Sequence, residues 1–157
     1  MLQTVAEEIH NNLIKFAETL PEQLLQAEED LKKAETILAE TPKGDASENE
    51  PLIKARQNRD LKQARLEDLK FLKRSLQVVP DLSKYNYTGQ VNIYSTVQLD
   101  RSFKGRDTFR IYAECESILA MGILSANTPV AKRLLHKTVG DTIFLNNGDA
   151  VKILDIY

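Results

Sequence analysis

Leu13, Ala17, Leu20, Leu24, Ala27, Leu31, Ala34 and Leu38 recur at alternating steps of four and three. A seam of that period, held for more than three heptads, commits the chain to a long helix with one apolar stripe pressed against a partner helix. Pro21 falls inside the seam, where it removes a backbone hydrogen bond and crowds the preceding turn. Thr19 and Glu22 have the spacing of a capping box, which would start a second helix there. Because the seam keeps phase across Pro21, one kinked helix is the expectation.

The partner follows directly. Thr41-Pro42-Lys43-Gly44-Asp45 breaks the pattern, since Pro42 keeps Thr41 out of helical geometry and Gly44 permits a reversal. A second helix is predicted from about Pro51 to Gln77, with apolar positions at Leu52 and Ala55 and then at Leu66, Leu69, Leu72 and Leu76. Long helices joined by a short connection pack antiparallel. At 1.5 Å per residue each would run roughly 40 Å. The hairpin, residues 1–79, has a polar turn at about 41–50.

After residue 80 the texture changes. Gly89, Gly105, Gly122, Gly140 and Gly148 punctuate runs of β-branched and aromatic residues. Val91, Ile93, Val97 and Leu99 share one face of a run; Phe109, Ile111 and Ala113 do the same; Ile118 to Leu124 reads as a buried strand. Asn127-Thr128-Pro129 has cap residues followed by proline at a first helical position, and Val130, Leu134 and Leu135 give that helix its apolar face. Asn147-Gly148 lies between two β-rich runs, a hairpin signal. Residues 80–157 are therefore expected to form a small, mostly antiparallel sheet with one short helix, and the whole chain is α+β.

Charge is segregated. Residues 1–50 carry 12 acids and 4 bases, residues 51–80 carry 3 acids and 8 bases, and residues 81–157 are nearly balanced. The single cysteine, Cys115, excludes an intramolecular disulfide or a multi-cysteine zinc site, and His10 and His136 are far apart. No apolar run spans a bilayer, and Glu7 and Glu8 interrupt the first apolar stretch. A soluble, cytoplasmic monomer is expected. There is no phosphate-binding glycine loop, GxSxG or HExxH, so an autonomous enzyme is poorly supported.

Three groups of residues carry candidate chemistry. Asp45 and Glu48, three apart in the turn, place two hard oxygen donors together, a set that suits Mg²⁺; acids also favour a helix N-terminus for its own sake. Ser47 and Glu50 have capping-box spacing. Arg56, Arg59, Lys62 and Arg65 form a basic ridge with Asp60 opposing it. The ridge suits phosphates, or it is a solvated face pairing with Glu28, Glu29, Asp30 and Glu35. Cys115 reads as a strand residue and His136 as a residue near a helix C-terminus.

Gly44-Asp45-Ala46-Ser47-Glu48-Asn49 resembles the GD-x-x-EN tip of the bacterial transcript cleavage factors GreA and GreB. Ile123-Leu124-Ser125-Ala126-Asn127-Thr128-Pro129-Val130-Ala131-Lys132-Arg133-Leu134-Leu135 is similar to the family's I-S-x-N-S-P-I-A-x-x-L-L segment, and Val139-Gly140-Asp141 and Ser95-Thr96-Val97 match further pieces. The resemblance implies a coiled-coil hairpin followed by an FKBP-like domain. It implies that the second domain docks at the rim of the RNA polymerase secondary channel, through Thr128, Pro129 and Val130. Asp45 and Glu48 would then be the catalytic tip acids, holding Mg²⁺ jointly with polymerase so that backtracked RNA is cut. No metal is expected in the isolated protein, which would stimulate polymerase and not be an enzyme itself. The ridge would face RNA or the channel wall. Where the family continues E-N-x-E-Y, this chain has Pro51 and Leu52, which disfavours helix at Glu50. The alternative is thus a Gre-like channel-binding protein that modulates or inhibits transcription without cleavage.

Overall fold

The computed structural model describes residues 1–44 and 49–157. The chain packs as two compact units, Ala17–Arg74 and a second made of Met1–Phe16 with Ser75–Tyr157. A division at 79/80 was expected from composition; residues 1–16 instead pack with the sheet, which is where their apolar face is buried.

The helical unit holds the end of α1 (Leu2–Glu40) and α2 (Glu50–Ser75). Pro21 sits inside α1 without ending it. The predicted seam is buried or half-buried along its length, while Leu25, Ile37 and Leu61, which lie off it, are exposed. Leu20, Leu24, Ala27 and Ala34 from α1 and Leu52, Ala55, Leu66 and Leu69 from α2 supply the buried stripe. The antiparallel course is marked at two points. Asn49 Nδ2 donates to the Pro42 carbonyl at 2.7 Å near the turn, and Arg65 Nη2 donates to Gln23 Oε1 at 3.5 Å farther along. Alternating leucine with alanine lets two helices approach closely along one seam.

The sheet unit contains β1 (Thr96–Phe103), β2 (Arg106–Tyr112), β3 (Ile123–Ser125), β4 (Thr142–Phe144) and β5 (Ala150–Ile156), in the spatial order β3-β2-β1-β5-β4. The pairs β1–β2, β1–β5 and β4–β5 are antiparallel. β2 and β3 run parallel, with Ile111 opposite Leu124, so the sheet is mixed. α3 (Pro129–Leu134) covers one face, burying Ala131 and Leu134 with Val97, Leu99, Phe109, Ile111 and Ile153. The hairpin between β4 and β5 forms as expected, with one difference: Gly148 alone takes positive φ, at 87°, after a turn closed by its N–H to the Leu145 carbonyl. That is the longer turn with a left-handed glycine, not the two-residue type.

The start of α1 completes this unit. Ala6, Ile9 and Leu13 are wholly buried. Ile9 lies against Gly122, where an added Cβ would come within 3.0 Å of its Cδ1, and Gly122 holds φ at 79°. No larger residue fits that notch without strain.

Two strand expectations are corrected. Residues 91–95 form no strand: Tyr94 takes φ 73°, and Asn92 N–H donates to Ser95 Oγ at 2.9 Å, a local turn that keeps Val91 buried but exposes Ile93. Ile118–Leu124 is not continuous either. A 3₁₀ turn at Leu119–Met121 and the left-handed Gly122 leave only Ile123–Ser125 in the sheet. Cys115 lies just beyond β2 and not in a strand; it is buried, and that burial pushes its thiol up to about 12, where it stays protonated.

Candidate functional site

The turn joining α1 to α2 is built from its described flanks. Asn49 caps α2: its Oδ1 accepts from Leu52 N–H at 3.1 Å, and its carbonyl accepts from Ile53 N–H. Its amide also braces Pro42, so one side chain ties both ends of the turn. With Asn49 as cap, Glu50 and Pro51 are the first two helical residues, positions where a missing N–H costs nothing. The expectation that Pro51 delays the helix is therefore corrected: α2 begins at Glu50. Leu52 turns inward and is 2% exposed. Asp45, Ser47 and Glu48 lie outside the described residues. Among the described residues no group of acids, histidines or cysteines is arranged to hold a metal.

The basic ridge lies on α2. Arg56 and Arg65 are exposed, and Arg59 and Lys62 half-exposed. Arg59 pairs with its neighbour Asp60 at 2.8 Å, and Arg65 reaches Gln23. Among the described residues no ion pair joins the ridge to Glu28, Glu29, Asp30 or Glu35. The acidic face of α1 and the basic ridge of α2 do not neutralise each other, which leaves most of the ridge's charge to solvent or to a partner.

The loop before α3 is shaped by its cap. Thr128 holds extended backbone, φ −74° and ψ 150°, and its Oγ1 accepts from Ala131 N–H at 3.3 Å while donating to the Ser125 carbonyl at 2.8 Å. Pro129 follows at the first helical position, exposed, with Val130 half-buried beside it. Thr128 and Val130 also border an apolar cavity of about 210 Å³ lined by Leu99, Phe103, Phe109 and Leu124. An exposed proline beside an apolar depression makes a rigid, partly greasy surface, suited to another protein.

A polar cluster inside the sheet unit went unseen in the sequence. Arg110 is 3% exposed; its Nε donates to the Tyr94 carbonyl at 3.0 Å and its Nη1 to the Ala6 carbonyl at 2.9 Å. His10 Nδ1 lies 3.0 Å from the Tyr112 hydroxyl, with the two rings stacked. Burial, and then the Arg110 charge, hold His10 below its ordinary value, so it is neutral near pH 7. Tyr94 donates to Glu114. Desolvation pushes the Tyr94 hydroxyl up to about 12 and Tyr112 higher still, so both remain donors. The Arg110–Ala6 and His10–Tyr112 contacts link positions about a hundred apart in sequence, and no local pattern announces them.

A family model described as "Transcription elongation factor, GreA/GreB, C-term" matches residues 86–157. Transcription elongation factor GreA of Vibrio vulnificus (strain CMCP6) is 30% identical over 142 residues, covering 86% of this chain and 90% of that protein. Transcription elongation factor GreA of Methylobacterium sp. (strain 4-46) is 35% identical over 101 residues, 64% of this chain and 63% of its own. A solved structure, the GreA factor homolog 1 (Gfh1) protein of Thermus thermophilus, aligns over 90% of this chain and 94% of its own at 24% identity, with a TM-score of 0.37. So loose a superposition leaves the assignment to the sequence relatives, which span both units. On those relatives the chain belongs to the GreA/GreB family of transcription elongation factors.

Proposed function

We propose that this protein binds bacterial RNA polymerase at the secondary channel and stimulates cleavage of backtracked RNA, as an accessory factor and not as an enzyme in its own right. The observation that carries the reading is the family's acidic tip, Gly44-Asp45-Ala46-Ser47-Glu48-Asn49, set where Asn49 caps α2 and braces Pro42. Asp45 and Glu48 are hard oxygen donors whose chemistry fits Mg²⁺, and two carboxylates are too few to hold the ion without ligands from a partner. When bound jointly with polymerase, that ion would supply charge stabilisation at the scissile phosphate. The residues of this chain bring the donors: the cap fixes the start of α2, and the ridge Arg56, Arg59, Lys62 and Arg65 supplies positive charge toward RNA phosphates or the channel wall.

Docking is assigned to Thr128, Pro129 and Val130, whose cap geometry supports a rigid contact. On this reading the protein works in the cytoplasm as a monomer. The test is RNA cleavage in stalled elongation complexes, with and without the protein, and with Asp45→Ala at matched occupancy. Stimulation by wild type and not by the variant is the expected result. Equal stimulation by both would reduce the acids to helix-start residues. Occupancy without stimulation by either would favour the alternative, a non-cleaving modulator, for which the burial of Leu52 at the position of the family's tyrosine is the supporting observation.

A further inference from the structure

A cavity of about 490 Å³ opens within the sheet unit, bordered by Arg110, His10, Tyr85, Asn86, Tyr157 and Glu7. We infer that it is a binding site for a small monocarboxylate with a planar apolar flank, held by the Arg110 guanidinium.

An arginine that is 3% exposed ordinarily has a carboxylate beside it, because a buried charge without a counter-ion is costly. Among the described residues no acid lies within ion-pair distance of Arg110, and the exposed Glu7 carboxylate acts on it only through space. Its contacts are the two backbone carbonyls of Tyr94 and Ala6 and the ring of Tyr85, 5.3 Å from the guanidinium carbon. Those bonds use Nε and one N–H of Nη1. No hydrogen bond of Nη2 is seen among the described residues, and Arg110 borders the cavity. A planar fork with free donors matches a carboxylate.

The surroundings narrow the class. Tyr85 is already bonded to Ser95 at 3.0 Å, and Tyr157 and Asn86, which also line the cavity, carry further donor groups. The Tyr85 and Tyr157 rings meet edge-on at 5.7 Å, an apolar wall for a flat ligand. Positive charge is limited to Arg110, since His10 is neutral near pH 7. Glu7 stands exposed at the rim. Arg110 and Glu7 together carry no net charge, so the site opposes a phosphate dianion and takes a monoanion in competition with Glu7. The site uses none of the residues assigned to cleavage or docking.

The test is titration of the full chain with sodium benzoate, acetate and inorganic phosphate, following tyrosine and backbone NMR resonances at constant ionic strength with chloride as control. Benzoate should give saturable shifts at Tyr85, Tyr157 and Arg110, and acetate weaker ones at the same residues. Arg110→Lys should weaken benzoate binding by roughly tenfold, because the fork is lost while the charge stays. Glu7→Gln, an exposed change that leaves the core alone, should tighten it by about threefold at low salt. Non-saturable shifts, shifts matched by chloride, or tighter binding of phosphate than of benzoate would overturn the assignment. If Arg110→Lys fails to fold, Glu7→Gln decides: unchanged or weaker benzoate binding would also overturn it.

Discussion

In the helical unit, Leu20, Leu24, Ala27 and Ala34 meet Leu52, Ala55, Leu66 and Leu69 along one seam, and the ladder bonds of an α-helix are local. In the sheet unit, β1 pairs with β2 next to it in sequence and also with β5 at the far end, Val97 lying opposite Ile156. Arg110 and Tyr112 then reach α1 more than a hundred positions away. The first region repeats a period and tolerates variation between its steps. The second is closed by contacts with no period, each made once. Damage to it should be more concentrated.

Predictions that strain this contrast can be ranked by size. The largest effect belongs to the helical turn: on the proposed reading, Asp45→Ala or Glu48→Ala should lower stimulated cleavage by orders of magnitude, since metal stabilisation is worth several kcal/mol. Polymerase binding should be unchanged in a direct binding measurement. Loss of binding together with cleavage would move the anchoring function out of the sheet unit.

Next is Ile9→Ala, expected to cost about 2–5 kcal/mol, the range for emptying a buried aliphatic site. Hydrogen exchange should show β1 and β5 amides losing protection while α2 amides largely keep theirs. An equal loss in α2 would mean that the two units unfold as one. Gly122→Ala should cost about 1–2 kcal/mol from left-handed backbone strain, with crowding at Ile9 in addition, read by urea denaturation. Ile9→Val in the same background should recover part of the crowding cost but none of the strain.

Thr128→Ala removes a cap and should cost about 1 kcal/mol; on the proposed reading it weakens polymerase binding and leaves the helical unit's exchange pattern intact. The smallest effect concerns pH. His10 sits below its ordinary value of 6.5 in the folded state, because burial and Arg110 disfavour its charge. The unfolded chain therefore binds the proton more readily, so this contribution to stability is present above 6.5 and is lost as pH falls below it toward the folded value. His10→Gln should flatten that part of a melting-temperature profile. An unchanged slope would show that the buried imidazole does not set it.

The same contrast explains what could be read from the sequence. The seam from Leu13 to Leu38 is a periodic signal, and the structure buries or half-buries each of its positions. The hairpin at Asn147-Gly148 and the Thr128 cap are encoded in a few adjacent residues and were legible for that reason. Residues 91–95 and 118–122 misled because apolar content reports burial and not strand geometry: Val91 is buried from a turn, and Ile118 precedes a 3₁₀ segment ended by Gly122. Tyr94 at positive φ has no glycine to signal it. Of the candidate site, the basic ridge and the loop before α3 could be placed as elements, and Asn49 is the observed cap of α2, its amide serving both flanks, while the Ser47 capping expectation lies outside the described residues. The Arg110–His10–Tyr112 cluster had no local signature.

That the sheet unit is assembled from Met1–Phe16 and Ser75–Tyr157 has a bearing on how the protein is made. A ribosome delivers the first segment early and the rest late, with all of Ala17–Arg74 in between. The helical unit is contiguous and can zip together as soon as α2 has emerged, because its contacts are short in sequence. The face of α1 bearing Ala6, Ile9 and Leu13 must wait, uncovered, until β2 and Gly122 have been synthesised. Zipping of the hairpin shortens that wait in conformational terms, since joining residue 16 to residue 75 through paired helices leaves a much smaller loop to close. The polar hairpin thus doubles as a splint that delivers the start of the chain to its end.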